Sequence, residues 1–444
     1  MTDDTLADAE IAALMLRHPK GFDLSLDRIE RLLDALGNPQ DRLPPVIHVA
    51  GTNGKGSTIA FARAMLEAEG LAVHVHTSPH LVSWHERYRL GRRGAPGRFV
   101  DDATLANAIH RAAIANDGAP ITVFEILTAV TFLLFSEHPA DMALVEVGLG
   151  GRFDATNVLR QPAAALVSTV SLDHQSYLGD RVELIAAEKA GIFKKGSPAV
   201  IGQQGDDGAL ETLRGRAASV GAPAIVYGED FLAYEEHGRL VFQDGDGLVD
   251  LPLPRLPGRH QLANAALAVA GVRATGATLS DSALEGGVTA AEWPGRLQRI
   301  TSGPLFELAV PGGELWLDGG HNPGAGTVVA EAIAEMEDKS PRPLFLIAGM
   351  LSTKDPVGFF EAFAGMARHV FTVPLRTSDA GLSPDELADA AYDAGLDAEP
   401  CDSVEQAIRL ISTGWSSRPA PRIVICGSLY LAGEVLKASG LSPR

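Results

Sequence analysis

The chain has 444 residues, of which 46% are hydrophobic, and its 56 acidic and 37 basic side chains give a net charge of −19. This length predicts two domains with separate hydrophobic cores, and the negative charge disfavours nucleic acid or an anionic membrane as a partner. Two cysteines are too few for a disulfide framework or a thiolate zinc site, and they fit a reducing compartment.

The first elements indicate a cytoplasmic protein that begins with a packing helix. The start, Met1 to Asp4, is acidic where a signal peptide would be basic. Residues 25 to 36 then repeat leucine or isoleucine at helical spacing, with Ser25 as a plausible cap and Gly37 as the stop. We therefore expect a cytoplasmic location and an amphipathic helix before the first strand.

A glycine-rich turn follows an apolar strand at residues 46 to 50. The turn, residues 51 to 57, reads GTNGKGS and opens a helix predicted over residues 58 to 69. Glycines let backbone amides turn toward an anion, the helix N-terminus adds positive potential, and Lys55 adds a full charge. The glycine spacing is shorter than in the strict phosphate loop, and an extra glycine follows the lysine. The pattern favours a triphosphate site over a bare glycine turn.

The next strand, predicted over residues 71 to 76, ends in a turn that contains Ser78. Ligands of α/β sheets collect at the carboxyl ends of parallel strands, so this hydroxyl could reach a metal beside the triphosphate. A plain serine turn is the alternative. Four histidines between residues 74 and 85 lack a thiolate or a second cluster, which disfavours zinc. The basic, glycine-rich residues 91 to 98 are predicted to form a solvated, mobile loop.

A carboxylate at the end of the next strand is the second metal candidate. The strand is predicted over residues 141 to 147, after a long apolar helix within residues 119 to 135, and it ends at Glu146 beside a glycine turn. Nucleotide sites use such a carboxylate to hold Mg²⁺ or its water shell. An edge glutamate is the bland alternative, although burying it without a partner would cost on the order of several kcal/mol.

A third apolar strand, residues 163 to 170, leads to His174. Imidazole is a less usual ligand of a hard metal than carboxylate, so the residues alone leave open whether His174 binds one. A helix follows over residues 182 to 190, with Lys189 near its end. The pattern by itself indicates a surface lysine there.

The middle of the chain contains a break between two α/β series. Residues 191 to 255 hold two short strands and a polar segment at 235 to 250, and an alanine-rich helix with Asn264 follows. The sequence WPGR at residues 293 to 296 then interrupts the periodicity. We predict domains at residues 1–294 and 295–444.

Strands and helices alternate again from Glu314, with Asp318 and His321 in the turn after the first strand. This second series lacks the G-x-G-x-x-G pattern, so dinucleotide binding is not supported. We predict an α/β protein. Its N-terminal P-loop-type domain has a mostly parallel sheet with helices on both faces, and its smaller C-terminal domain is Rossmann-like.

Eight stretches together resemble the signatures of the folylpolyglutamate synthase/dihydrofolate synthase family, which belongs to the Mur ligase superfamily. The resemblance covers nearly the whole chain. The stretches are residues 51–57, 77–81, 146–157, 171–174, 188–192, 293–296, 318–323 and 427–431.

The resemblance implies ATP, two Mg²⁺ ions and, as a further candidate, a monovalent cation such as K⁺. The residues implied for ATP are Gly54, Lys55, Gly56, Ser57, Asn264, Arg296 and Asp318. The implied metal ligands are Ser78, Glu146, His174 and Lys189, the last as a carbamylated lysine. The implied catalytic residues are Lys55, Lys189 and His321. The residues implied for the pterin part of the substrate are Thr122, Val123, Phe124, Glu125, Arg152, Phe153 and Asp154.

Two positions depart from the family pattern. Gly320 stands where alanine is usual, which puts local rigidity in doubt. Residues 91 to 98 look longer than usual, so no substrate contact is assigned to them.

By resemblance, the chain is an ATP-dependent amide ligase that adds L-glutamate to 7,8-dihydropteroate, to the glutamate tail of reduced folates, or to both. An acyl phosphate would activate the carboxylate, whose leaving group would otherwise be oxide. A Mur-type ligase acting on a UDP-sugar peptidoglycan precursor, a hydrolysing ATPase and a non-catalytic nucleotide-binding module are the alternatives. We expect a monomer that binds small molecules. The sequence leaves open which folate activities are present and how long a tail is made.

Overall fold

The computed structural model describes residues 5–18, 25–413 and 415–443. Residues 1–4, on which the expectation of no signal peptide depends, lie outside the described residues. The bounds given below therefore refer to these three ranges.

The N-terminal part is built on an eight-stranded sheet in the order β4-β3-β2-β5-β1-β6-β7-β8. Its strands are β1 (Val46–Ala50), β2 (Val73–His76), β3 (Tyr88–Arg92), β4 (Ala95–Phe99), β5 (Met142–Glu146), β6 (Ala164–Val167), β7 (Ala199–Ile201) and β8 (Ala224–Val226). All neighbours pair in parallel except β2 with β3 and β3 with β4. The central β1 is buried throughout, as expected for a parallel strand covered on both faces.

Helices cover both faces of this sheet, as predicted. They are α1 (Leu6–Arg17), α2 (Asp27–Ala35), α3 (Lys55–Ala68), α4 (Asp102–Asn116), α5 (Val123–Glu137), α6 (Gln175–Leu178), α7 (Val182–Lys189), α8 (Asp207–Val220), α9 (His260–Ala274) and α10 (Asp281–Ala290). One apolar cluster joins the sheet to α3, α9 and α10. Another joins it to α1, α2, α4 and α5 on the opposite face.

The prediction of a loop at residues 91 to 98 is wrong, because this stretch forms most of the β3–β4 hairpin, whereas its predicted exposure to solvent is confirmed for most of its residues. Leu90 pairs with Arg98, and Arg92 with Ala95. Gly91 lies so close to the backbone of Val73 in β2 that a Cβ atom would overlap it. Glycine here therefore permits close strand packing rather than loop flexibility.

The polar segment at residues 235 to 250 is also ordered. With its flanks it forms a three-stranded antiparallel sheet of β9 (Phe231–Glu236), β10 (Arg239–Asp244) and β11 (Gly247–Pro252). Phe242 and Leu251 are buried in the cluster that contains α9. The segment reads as polar because a sheet with one solvated face carries polar residues at alternate positions.

The C-terminal part is built on a six-stranded sheet in the order β12-β13-β17-β14-β15-β16. Its strands are β12 (Gln298–Ile300), β13 (Glu314–Leu317), β14 (Leu344–Ala348), β15 (Ala367–Thr372), β16 (Ala398–Pro400) and β17 (Arg422–Cys426). Its helices are α11 (Pro304–Leu308), α12 (Pro323–Lys339), α13 (Pro356–Glu361), α14 (Pro384–Asp393), α15 (Val404–Thr413) and α16 (Leu429–Ala438). Only β12 pairs antiparallel. The predicted second α/β domain is confirmed, and the proposed boundary falls between α10 and β12.

The helices of the structure are short relative to a bilayer. Among the described residues, no helix combines the length and apolar character needed to cross a membrane. The cytoplasmic location stays a prediction.

Two adjacent glycines in α10 provide a test of the packing between α10 and α3. A Cβ atom on Gly287 would lie 2.6 Å from the Cα of Met65, whereas one on Gly286 would lie 3.6 Å from the Cβ of Ala68. We expect Gly287→Ala to lower the free energy of unfolding by about 1–3 kcal/mol through overpacking. The matched Gly286→Ala should raise it by roughly 0.5–1 kcal/mol through helix propensity. Thermal and urea unfolding measure both, and equal shifts in the two variants would contradict the close helix contact.

Candidate active site

The largest concentration of predicted site residues lines one cleft between the two α/β sheets. Here the carboxyl ends of β1, β2, β5 and β6 face the turn after β13 and the start of α12, around a cavity of about 260 Å³. Ligands bind at this edge of α/β sheets because the loops and helix N-termini converge there. Both series of the chain therefore contribute to a single site.

The glycine-rich turn after β1 forms the floor of the cleft. Gly54 adopts a left-handed conformation with φ of 91° and is the N-cap of α3. A Cβ atom at Gly54 would overlap the side chain of Asn264. Within the described part of the chain no side chain caps the start of α3, so its first amides remain available to phosphate oxygens. Lys55 Nζ donates to Gly51 O at 3.1 Å beside them.

A buried carboxylate lies next to this lysine. Glu146 is 5% exposed, and its Oε1 is 3.9 Å from Lys55 Nζ. Burial raises the pKa of Glu146, although the charge of Lys55 opposes the shift. The other oxygen, Oε2, accepts the backbone N–H of Ser78 at 3.1 Å. This position, deep in the cleft, differs from the edge glutamate considered as an alternative.

The hydroxyl of Ser78 is buried without a hydrogen-bond partner in the described structure. Buried polar atoms of native proteins normally have partners, so an unpaired hydroxyl beside a carboxylate calls for a ligand. Carboxylate and hydroxyl oxygens suit a hard divalent cation. The side chains of Glu146 and Ser78 therefore fit such an ion.

Lys189 lies beneath the phosphate-binding turn rather than on the surface. It is 5% exposed, and its Nζ donates to Gly51 O at 2.9 Å. Burial, followed by the charge of Lys55, lowers the pKa of Lys189 to about 7. The local pattern indicated a surface lysine, and this prediction is wrong. The sequence around a helix end does not reveal which distant loop covers that end.

His174, a predicted metal ligand, contacts Lys354 instead of the other predicted ligands. Its side chain is 42% exposed, and its Nε2 lies 3.3 Å from Lys354 Nζ rather than against Glu146. Among the described residues, no three His, Cys, Asp or Glu side chains converge as a preformed metal cluster. The four predicted ligands share the cleft, but only Ser78 and Glu146 are in direct contact.

The side chains predicted to complete the nucleotide site line the same cleft from α9 and the second series. Asp318 is buried, which raises its pKa, and it accepts the N–H groups of Leu297 at 2.7 Å and Gly320 at 2.6 Å. Arg296 lies nearby and partly offsets the shift. Asp318 thus fixes its own turn, including the unusual glycine at position 320.

Sequence reasoning missed a network that joins the two sheets across the cleft. Asp173 accepts Lys354 Nζ at 2.6 Å and Asn322 Nδ2 at 3.0 Å. Burial alone would raise the pKa of Asp173, but the positive charge of Lys354 holds it well below its usual range. Asn322 also exchanges two hydrogen bonds, of 3.1 and 3.2 Å, with Asn53 in the glycine-rich turn. Two features of the sequence could have indicated this network: Asp173 follows a buried strand, and Asn322 precedes Pro323.

His321 completes this side of the cleft. Its Nδ1 lies 2.9 Å from Gly319 O, which favours the tautomer with the proton on Nδ1 and a lone pair on Nε2. Burial and the charge of Lys354 lower the pKa of His321 to about 4, so the ring is neutral near pH 7.

The residues predicted for the pterin lie outside the lining of the cleft, and two of them, Phe124 and Asp154, reach its edge. Phe124 and Asp154 flank Gly148, a cleft residue, so closely that a Cβ atom there would meet both side chains. Glu125 forms a capping box with Thr122 and pairs with Arg28, whose Nη2 is 3.0 Å from Oε1. Its carboxylate is therefore already engaged in holding α2 to α5.

The other members of that set differ in exposure. Arg152 stacks over Phe153 at 5.0 Å in the exposed part of the turn. Asp154 is buried, which raises its pKa, and it accepts hydrogen bonds from Leu149 and Thr156. Val123 is partly buried against the core. Phe153 is thus a solvent-accessible ring, 37% exposed, whereas Phe124 is partly buried.

Two family models match this arrangement. The Mur ligase middle domain matches residues 49–272, and the Mur ligase, glutamate ligase domain matches residues 295–429. The first covers the phosphate-binding turn and the metal candidates, and the second covers the facing side of the cleft. The chain thus contains both of these Mur ligase domains, and the cleft lies between them.

Similar proteins specify the family. A folylpolyglutamate synthase of Lacticaseibacillus casei is 34% identical in an alignment of 425 positions that covers 92% of this chain and 92% of that one. Escherichia coli FolC in complex with DHPP and ADP has a TM-score of 0.85 at 29% identity, covering 98% of this chain and 97% of that one. A bifunctional folylpolyglutamate synthase/dihydrofolate synthase with Mn, AMPPNP and L-glutamate bound has a TM-score of 0.83 at 30% identity, covering 98% of both chains. The chain belongs to the folylpolyglutamate synthase/dihydrofolate synthase family.

This membership confirms the predicted family, the fold class and the assignment to the ATP-dependent ligases. The alternative of a ligase for UDP-sugar precursors is not favoured, because relatives named for folate match nearly the whole chain. The roles of individual site residues stay predictions.

The pair Asn53–Asn322 gives a test of coupling across the cleft. We expect Asn53→Ala to weaken AMPPNP binding about fivefold, because one net hydrogen bond contributes about 1 kcal/mol to holding the turn. Asn322→Ser should have a similar effect while retaining a side chain that can cap α12. Calorimetric titration measures both.

The double variant is the control for this interpretation. Its affinity for AMPPNP should equal that of whichever single variant binds AMPPNP less tightly, because both changes break the same Asn53–Asn322 pair. Fully additive losses would show that the two side chains act independently.

Proposed function

We propose that this chain uses ATP to join L-glutamate to 7,8-dihydropteroate, to the glutamate tail of a reduced folate, or to both. One observation carries the proposal. Buried Glu146 and Ser78 lie opposite Lys55 and the uncapped start of α3. Relatives with DHPP and ADP, and with AMPPNP and L-glutamate, support these substrates.

The first step activates the acceptor. An oxygen of its carboxylate attacks the γ-phosphorus of ATP, the bond to the β–γ bridging oxygen breaks, and ADP leaves with that electron pair. Lys55 and the amides of the glycine-rich turn stabilise charge on the phosphoryl oxygens, where it spreads most in the transition state. The product is an acyl phosphate whose leaving group is phosphate instead of oxide.

The second step forms the amide. The neutral amine of L-glutamate attacks the acyl carbon, the carbon–oxygen bond to phosphate breaks, and the nitrogen loses a proton. His321 is our candidate to orient this amine, because its Nε2 carries a lone pair and the ring is neutral. A pKa of about 4 suits it to accept a hydrogen bond more than to act as a strong base.

Glu146 and Ser78 are the residues we propose for a divalent cation. Such an ion, when bound, neutralises negative charge on the phosphates. His174 and a carbamylated Lys189 are proposed as further ligands, with Mg²⁺ as the physiological ion. A second Mg²⁺ and a monovalent cation such as K⁺ stay predictions.

We assign ATP and folate binding to residues 1–294 and contacts with nucleotide and L-glutamate to residues 295–444. In this plan Asn264, Arg296 and Asp318 hold the nucleoside end of ATP, and the Phe124 and Phe153 rings receive the pterin. In the same plan, the hydrogen bonds that Lys354 and Asn322 of the second domain donate to Asp173 keep the cleft closed. Closure excludes the water that would otherwise hydrolyse an acyl phosphate.

The proposal predicts substrate-dependent ADP release. Purified protein with ATP and Mg²⁺ should release ADP only when both L-glutamate and either 7,8-dihydropteroate or tetrahydrofolate are present. ADP and amide product, measured by coupled assay and mass spectrometry, should form in equal amounts. Turnover of ATP that is independent of both substrates would favour the ATPase alternative, and turnover with a UDP-sugar precursor would favour the other ligase.

A separate prediction concerns carbamylation of Lys189. Carbon-13 bicarbonate should label its Nζ, because only a neutral amine attacks CO₂ and the pKa of this buried lysine is about 7. The label should increase as the pH rises through that value. Lys189→Met should abolish the nuclear magnetic resonance signal and lower kcat by about 10²-fold or more, while retaining much of the ATP affinity.

Lys194→Met is the matched control. Lys194 is a partly buried lysine whose Nζ lies 3.4 Å from Asn157 O, outside the cleft lining. It should retain both the labelled signal and the activity. An unmodified amine at Lys189 in an active wild-type preparation would refute the carbamate.

A further inference from the structure

Arg87 is a buried arginine without a negative partner. It ends the 3-10 turn Trp84–Arg87 before β3 and is 8% exposed. Its Nε donates to His80 Nδ1 at 3.0 Å, and its guanidinium carbon lies 4.7 Å from the ring centre of Trp84. Within the described structure, no carboxylate lies within ion-pair distance, and Nη1 and Nη2 donate to no side chain or carbonyl.

Another buried arginine shows the usual arrangement in this chain. Arg422 is 1% exposed, and its guanidinium contacts Glu314 at 2.8 Å and Glu337 at 3.1 Å. Two carboxylates thus offset the charge that burial would otherwise leave uncompensated. An uncompensated buried charge is strongly destabilising, so the difference between Arg422 and Arg87 indicates a missing anion at Arg87.

The groups around Arg87 do not supply this anion. The imidazole of His80 carries no negative charge in either of its ordinary protonation states. Glu86 is engaged elsewhere, since it accepts the backbone N–H groups of Leu81, Val82 and Ser83 at 2.7 to 2.8 Å.

The position of Arg87 connects it with the cleft. Its backbone carbonyl contacts His76 Nδ1 at 3.1 Å, close to the end of β2 that leads to Ser78. The ionisable groups that act on its charge at longer range include Glu146 of the cleft and Tyr430 at the start of α16. The charge of the guanidinium is therefore within electrostatic reach of a metal candidate and of the second domain, although Arg87 does not line the cavity of the cleft.

We propose that Arg87 binds a carboxylate group of a substrate. Its planar guanidinium presents Nη1 and Nη2 for bidentate contact with such a group, while His80 and Trp84 fix its orientation. The inference rests on the proposed function, in which two substrates carry carboxylates. The source is either the acceptor, through its reacting or α-carboxylate, or the incoming L-glutamate.

The test compares Arg87→Met with wild type and with Arg422→Met. Arg87→Met should leave the melting temperature of the ligand-free protein unchanged or raised, because it removes an unpaired buried charge. It should raise KM for one carboxylate substrate by about 10-fold or more, the loss expected for a charge-assisted hydrogen bond. Arg422→Met should instead lower the melting temperature, because it removes a buried arginine that two carboxylates, Glu314 and Glu337, share as a partner.

The choice of substrates identifies the carboxylate. A higher KM for L-glutamate with both acceptors assigns Arg87 to the incoming amino acid. A higher KM for tetrahydrofolate alone assigns it to the α-carboxylate, which dihydropteroate lacks, and a higher KM for both acceptors assigns it to the reacting group. Arg87→Lys, which keeps the charge, should restore part of the affinity and supplies the same comparison if the methionine variant does not fold.

Unchanged KM values for all three substrates, with a lower melting temperature, would overturn the proposal and make Arg87 a structural residue. Failure of the proposed function would be seen separately, as wild-type protein without glutamate-dependent ADP release. In that case calorimetric titration of tetrahydrofolate and of L-glutamate, in the presence of ADP and Mg²⁺, still compares wild type with Arg87→Met. Equal affinities for both probes would then refute the inference.

Discussion

The two halves of the cleft depend on one buried charged contact, between Asp173 in the loop after β6 and Lys354 after β14. Removing a charged pair from water is costly, and the contact persists because each partner finds more than one compensating group. Asp173 also accepts Asn322, and through Asn322 it is linked to Asn53 in the phosphate-binding turn. One contact thereby connects the second domain to the loop that is proposed to hold ATP.

The chain is strongly acidic, and its cleft contains charges of both signs. Lys55, Lys189 and Arg296 line the cleft together with Glu146, Asp173 and Asp318, and Lys354 contacts Asp173. The positive side chains attract a triphosphate and carboxylate substrates locally, while the net negative charge of the chain disfavours nucleic acid. The mutual repulsion of these lysines also lowers the pKa of Lys189, which its proposed modification requires.

Local sequence predicts a part of this site wherever one short segment determines its own backbone geometry. The turn at residues 51 to 57 was predictable because strand, glycines, lysine and helix start follow one another and dictate the local geometry. Glu146 was predictable because a carboxylate ending an apolar strand must find a partner or a ligand. The alternation of strands and helices likewise predicted two series of α/β structure.

The tertiary structure decided the features that join distant segments. Asp173 and Lys354 are 181 residues apart, and Asn53 and Asn322 are 269 apart, so no periodicity in either segment reports their contact. The burial of Lys189 depends on the turn lying above it. The sequence by itself thus determined the fold class, the family resemblance and the phosphate-binding turn. Only the tertiary structure decided which charges are paired across the cleft and which, as at Arg87, are left without a partner, because compensation of a buried charge is a property of the assembled neighbourhood.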